Sequence, residues 1–109
     1  MEHRRVGNSG LRVSLLGLGC NNFGGNRIDF EASRLVVHKA LDLGITLFDT
    51  ADTYGNGRGE TLLRDAFGVN PEGVVYATKF GYDIYSKSDT RRGQQELPHN
   101  FTPEFIRFA

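Results

Sequence analysis

Gly44-Ile45-Thr46-Leu47-Phe48-Asp49-Thr50-Ala51-Asp52-Thr53-Tyr54-Gly55 is the stretch from which the fold can be read. Ile45 to Phe48 is a short apolar and β-branched run, the pattern of a strand buried inside a parallel sheet. Asp49 to Gly59 follows as a polar loop. Upstream, Glu31 to Leu43 has helical periodicity, with Val36, Ala40 and Leu43 on one apolar face and Val37 and Leu41 beside them. Gly44 stands where a left-handed residue ends such a helix.

The same grammar extends outward. Glu60 to Phe67 predicts a second helix, with an acid in its first turn, Gly68 after its last, and Leu62, Leu63, Ala66 and Phe67 as its buried face. Gly73 to Thr78 is rich in β-branched and aromatic residues, predicting a strand closed by Lys79. Toward the amino terminus, Ser14 to Gly19 predicts a strand buried on both faces, its glycines allowing close backbone approach. Gly7-Asn8-Ser9-Gly10 between Arg4–Val6 and Leu11–Val13 predicts a β-hairpin serving as a lid or plug. The order β-α-β-α-β, at intervals of roughly 30 residues, is that of crossover units in a parallel sheet, an α/β fold. Asn21 to Asp29 is a polar loop, and Phe80 to Phe101 lacks a period and is expected to lie as a long loop over the active face. Thr102-Pro103-Glu104 starts another helix, with Thr as cap and Pro in its first position.

Composition narrows the classes. The 109 residues, 39% hydrophobic and 24% charged, describe one globular domain at most. Net charge is zero, so neither nucleic acid nor an acidic membrane is expected as partner. The pairs Arg4-Arg5 and Arg91-Arg92 read as solvated surface. No apolar run approaches the roughly 18 residues of a membrane span, and Met1-Glu2-His3-Arg4-Arg5 opens no secretory signal, so a cytoplasmic location is expected. Cys20, the single cysteine, permits neither an internal disulfide nor a cysteine metal cluster, and no metal site is expected. It reads as a small buried hydrophobe.

Asp49, Tyr54 and Lys79 lie at or just past the carboxyl ends of predicted strands, where parallel α/β folds gather their chemistry. Asp49 and Lys79 end neighbouring strands and are expected to pair, and Tyr54 can fold back over them from the loop. A free tyrosine is a weak acid, with a pKa near 10, and a neighbouring ammonium favours its ionised form. Such a phenol can protonate a carbonyl oxygen as hydride reaches the carbon. Taken singly, the three residues have plainer readings: a turn Asp, a packing Tyr, a solvated Lys. Asp52 reads as a turn residue and His38 as surface, while Phe23, Phe80, Tyr82, Tyr85 and His99 could line a substrate pocket. The glycines around Asn56 and Arg58 lack the ending of a nucleotide loop and read as a flexible turn.

Together the motifs resemble the aldo-keto reductase family. Gly7-Asn8-Ser9-Gly10-Leu11-Arg12-Val13-Ser14 with Leu16-Gly17-Leu18-Gly19 is similar to the family's opening hairpin and first strand. Gly44 to Gly55 is similar to its second strand and catalytic loop, and Ala77-Thr78-Lys79 to the end of its third strand. The resemblance implies a (β/α)8 TIM barrel and reduction of small carbonyl substrates by NADPH, with NADH the alternative. It carries three members of a catalytic tetrad onto Asp49, Tyr54 and Lys79, and cofactor contacts onto Cys20, Asn21 and Asp49. The family's His ends a fourth strand and has no counterpart here, since neither His38 nor His99 has that context. Residues 1–109 are therefore expected to be the amino-terminal part of one barrel domain, about three β/α units behind a hairpin, and inactive by themselves. A non-catalytic, nicotinamide-binding regulatory subunit, as the family's potassium-channel β subunits exemplify, and an inert truncated gene product are the alternatives.

Overall fold

The computed structural model describes residues 1–23, 27–69, 71–85 and 97–109. Arg91-Arg92, the centre of the expected 80–101 loop and residues 24–26 of the polar loop lie outside them. Among the described residues, two small sheets and three helices follow in the order β1 (His3–Arg5), β2 (Arg12–Ser14), β3 (Gly17–Gly19), α1 (Phe30–Asp42), β4 (Leu47–Asp49), α2 (Arg58–Phe67), β5 (Val75–Ala77) and α3 (Pro103–Phe108).

The hairpin forms as its glycines require: β1 and β2 pair antiparallel, Arg4 opposite Val13, and Gly7 and Gly10 take positive φ in the reversal. It is fixed beneath the parallel sheet by a reciprocal pair of 2.9 Å bonds, Ser14 N–H to Thr46 Oγ1 and Thr46 N–H to Ser14 Oγ. These sit at the amino end of β4, so the hairpin lies on the side away from Asp49.

Strands β3, β4 and β5 pair in parallel in that order, with Gly19, Asp49 and Ala77 in one row. A Cβ at Gly17 would stand 3.3 Å from the Leu47 side chain, the close approach its glycine permits. The strands are shorter than their apolar runs. β3 is not buried on both faces: Gly17 and Gly19 are exposed and Leu18 half-buried, and Leu15 and Leu16 before it are exposed.

α1 starts one residue earlier than periodicity suggests, because the Asp29 carboxylate caps it by accepting the Ala32 N–H at 2.8 Å. Its end follows the glycine signal: Gly44 at φ 87° lets its N–H reach Leu41 O and the Ile45 N–H reach Ala40 O. The buried stripe is Ser33, Val37 and Ala40; Val36 and Leu43, expected in the core, are exposed. They flank that stripe and, with Leu35 and Ile45, line an open apolar groove.

The core is Cys20, Phe23, Val37, Ala40, Phe48, Leu62 and Leu63, with Phe67 tilted on Phe48 at 5.0 Å. His38 is not a free surface residue: it is half-buried, its ring edge-on to Phe67 at 5.3 Å. After β5, residues 80–85 turn back against 97–101 through the Tyr82–His99 bridge and the Asn100 N–H to Gly81 O bond. Thr102 then caps α3 through the Phe105 N–H.

Candidate active site

Side chains alternate along a strand, so the row register decides which of them meet. Asp49 ends β4 between Gly19 and Ala77, and Lys79, two residues past Ala77, returns to the same face. The ladder continues beyond the strands: Thr50 N–H donates to Ala77 O and Asp52 N–H to Lys79 O. With its backbone so placed, Lys79 Nζ donates to Asp49 Oδ1 at 2.9 Å and to Thr50 O at 2.6 Å.

Tyr54 reaches this pair by a tight turn. Gly55, Asn56 and Gly57 all have positive φ, so the loop read as a flexible turn is three successive left-handed residues, a conformation that glycine and asparagine tolerate best. The turn brings the Tyr54 ring to 5.0 Å from Lys79 Nζ, centroid to nitrogen. The hydrogen bond to Asp49 holds Lys79 above the usual lysine range against the partial loss of water around it, and a bond to Tyr54 acts in the same direction. The ammonium therefore stays charged between acid and phenol.

Cys20, expected at the cofactor turn, is fully buried and Asn21 beside it is exposed. Burial, with the Asp49 charge adding to it, pushes the Cys20 thiol up to about 11. Its backbone N–H and C=O are taken by Asp49 O and the Phe23 N–H, so polar contact at this turn falls to Asn21. The residues suit a nicotinamide dinucleotide: the half-exposed Asp49 carboxylate can accept from a hydroxyl, the Asn21 amide can donate and accept, and nothing stands within 4 Å of the Cβ position of Gly19.

Behind the pair lie groups that motif reading left aside. Asp52 is buried, with Oδ2 lacking a partner, as does the buried Thr50 Oγ1. Burial raises the Asp52 carboxyl above the usual carboxylate range; the Thr53 N–H opposes this and Glu60 adds to it. Thr78 Oγ1 donates to Glu60 Oε1 at 2.5 Å. Strand alternation could have shown that Thr78, next to Lys79, faces α2. Phe23 is buried in the core, whereas Phe80, Tyr82, Tyr85, His99 and Phe101 join aromatic contacts of the returning ribbon.

A sequence model of the aldo/keto reductase family matches residues 15–107. The chain belongs to the aldo/keto reductase family. An aldo-keto reductase from Bacillus halodurans, solved in its holo form, superposes with a TM-score of 0.80 at 30% identity, over 99% of this chain and 33% of that one. The fold is thus the amino-terminal part of a TIM barrel, and it does not close. Among sequence relatives, L-glyceraldehyde 3-phosphate reductase of Escherichia coli (strain K12) is 38% identical over 91 residues, 78% of this chain and 26% of that protein. A rice protein (Oryza sativa subsp. japonica) named "Probable voltage-gated potassium channel subunit beta" is 35% identical over 82 residues, 72% of this chain and 25% of its own length. The chain therefore spans about a quarter of the curated relatives it matches. Aldo/keto reductase membership makes it part of an oxidoreductase family acting on small molecules.

Proposed function

We propose that these residues carry the proton-donating part of an NAD(P)H-dependent reductase that converts aldehyde or ketone carbonyls to alcohols. The observation that supports it most is Lys79 Nζ held 2.9 Å from Asp49 Oδ1 and 5.0 Å from the Tyr54 ring centroid. In this reading Tyr54 is the general acid, giving its hydroxyl proton to the carbonyl oxygen. Lys79 stabilises the negative charge left on the phenol oxygen, and Asp49 anchors Lys79. A bound nicotinamide supplies hydride to the carbonyl carbon. Asn21 and Asp49 are the residues assigned to holding it, with Cys20 as buried support, and NADPH is the cofactor expected. A cytoplasmic setting suits the single free thiol.

The reaction needs more of a barrel than three parallel strands, including the histidine the family places at the end of a fourth, so the 109 residues alone are inactive in this reading. The test is NADPH oxidation with a panel of aldehydes by a whole-barrel protein that includes residues 1–109. Aldehyde-dependent turnover supports the reductase. Tight NADPH binding without turnover on any carbonyl would favour a regulatory nicotinamide-binding subunit, the reading to which the rice relative lends weight.

A further inference from the structure

We infer that Glu60 is a positioning residue for Lys79, and that the first turn of α2 is a gauge setting the Lys79–Tyr54 spacing. The proposal rests on Tyr54 and Lys79 being the proton-handling pair, and it starts from an irregularity at the helix start. Gly57 caps α2 in a left-handed conformation and offers no side-chain bond. Glu60 is the third helical residue, where a glutamate ordinarily folds back onto the cap N–H. Here that N–H is already given to Asp52 O at 2.7 Å. The Glu60 carboxylate reaches instead to the residue just past β5 and accepts the Thr78 hydroxyl at 2.5 Å.

Its neighbour Gly59 holds the other partner. Gly59 N–H donates to Tyr54 O at 3.0 Å, and a Cβ on Gly59 would sit 3.2 Å from both Tyr54 Cβ and Tyr54 O. Consecutive residues of one rigid turn thus fix the backbone of Tyr54 on one side and the residue covalently joined to Lys79 on the other. Glu60 and Thr78 line a cavity of 240 Å³ with Thr50, whose carbonyl accepts from Lys79. Lys79 lies past the end of β5 at Ala77, where its backbone keeps one ladder bond, from the Asp52 N–H, and its long side chain is half exposed. The Thr78 hydroxyl adds a side-chain tie to that backbone bond, at the residue next to the one from which the ammonium extends.

The experiment is a double-mutant cycle in the whole-barrel protein, read as kcat and as KM for NADPH. Thr78→Val keeps the shape and removes the donor; it should lower kcat by about tenfold to a hundredfold, the cost of a sub-ångström to ångström misplacement, with KM for NADPH within about twofold. Thr78→Ser, which keeps the hydroxyl, should recover most of that rate. Glu60→Ala should lower kcat similarly, and the double variant should be no slower than the slower single one. An unchanged kcat in Thr78→Val, additive losses, or a loss carried by KM alone would overturn the proposal. Tyr54→Phe in the same background separates the two readings: if it leaves turnover intact the assignment of the pair is wrong, and if it abolishes turnover while the cycle shows no coupling, the gauge alone is wrong.

Discussion

Three side chains from separate points of the chain meet because the strand register brings them there. Asp49 and Lys79 share a face two rows apart, and a left-handed turn carries Tyr54 over them. Type and spacing made this trio legible, since an acid, a phenol and an amine at strand ends have few joint explanations. Cys20 was legible as a buried residue, and its chemistry follows from that burial. With an ordinary value of 9.0 and a folded value of about 11, the unfolded chain sheds the thiol proton first. Between these pH values the folded state holds a proton the unfolded state has lost, so this contribution to stability falls as pH rises from 9 to about 11. Urea midpoints should decline over that window and decline less in Cys20→Ala, whose cavity cost does not depend on pH. Equal slopes in the two proteins would contradict the assignment.

At the scale of elements, the helix ends divide into those the sequence announces and those it hides. Gly44 announces its stop through a left-handed conformation that few residues adopt, and Thr102-Pro103 announces its start through a capping hydroxyl and a proline in the first turn. The start of α2 was not announced, because it depends on Asp52 O capturing the Gly57 N–H, a contact made by the turn and not by any capping side chain. The inward face of α1 differs from the periodic reading: Val36 and Val37 are equally apolar, and only packing with Phe48, Leu62 and Leu63 chooses Val37. Gly44→Ala tests the announced kind. At φ 87° an alanine is strained, and its Cβ would lie 2.8 Å from that of Met1. A loss of about 1 kcal/mol or somewhat more is expected from urea unfolding. A neutral or stabilising effect would show that the left-handed cap does not hold this helix end.

At the scale of the molecule, what is exposed is as informative as what is buried. The outer face of α1 leaves Leu35 at 64% and Leu43 at 59% exposure, and with Val36 and Ile45 these line an open apolar groove. Val69 is 75% exposed beyond α2, and the radius of gyration is 15.4 Å, against about 13 Å for a compact domain of this length. β3 and β5 each keep one unpaired edge among the described residues. Apolar faces and free strand edges of this kind associate, so the isolated 109-residue chain should self-associate in sedimentation velocity at micromolar concentration; a monodisperse monomer would contradict this. The β-α rhythm made the parallel α/β fold legible, the barrel came from the family resemblance, and three strands were too few to close it, as expected. The central claim is that Tyr54 donates the proton in carbonyl reduction, and single-turnover oxidation of bound NADPH by saturating aldehyde, in the whole-barrel protein, tests it most directly. The account predicts that Tyr54→Phe slows this step by orders of magnitude while NADPH affinity stays near normal; an unchanged rate would contradict it.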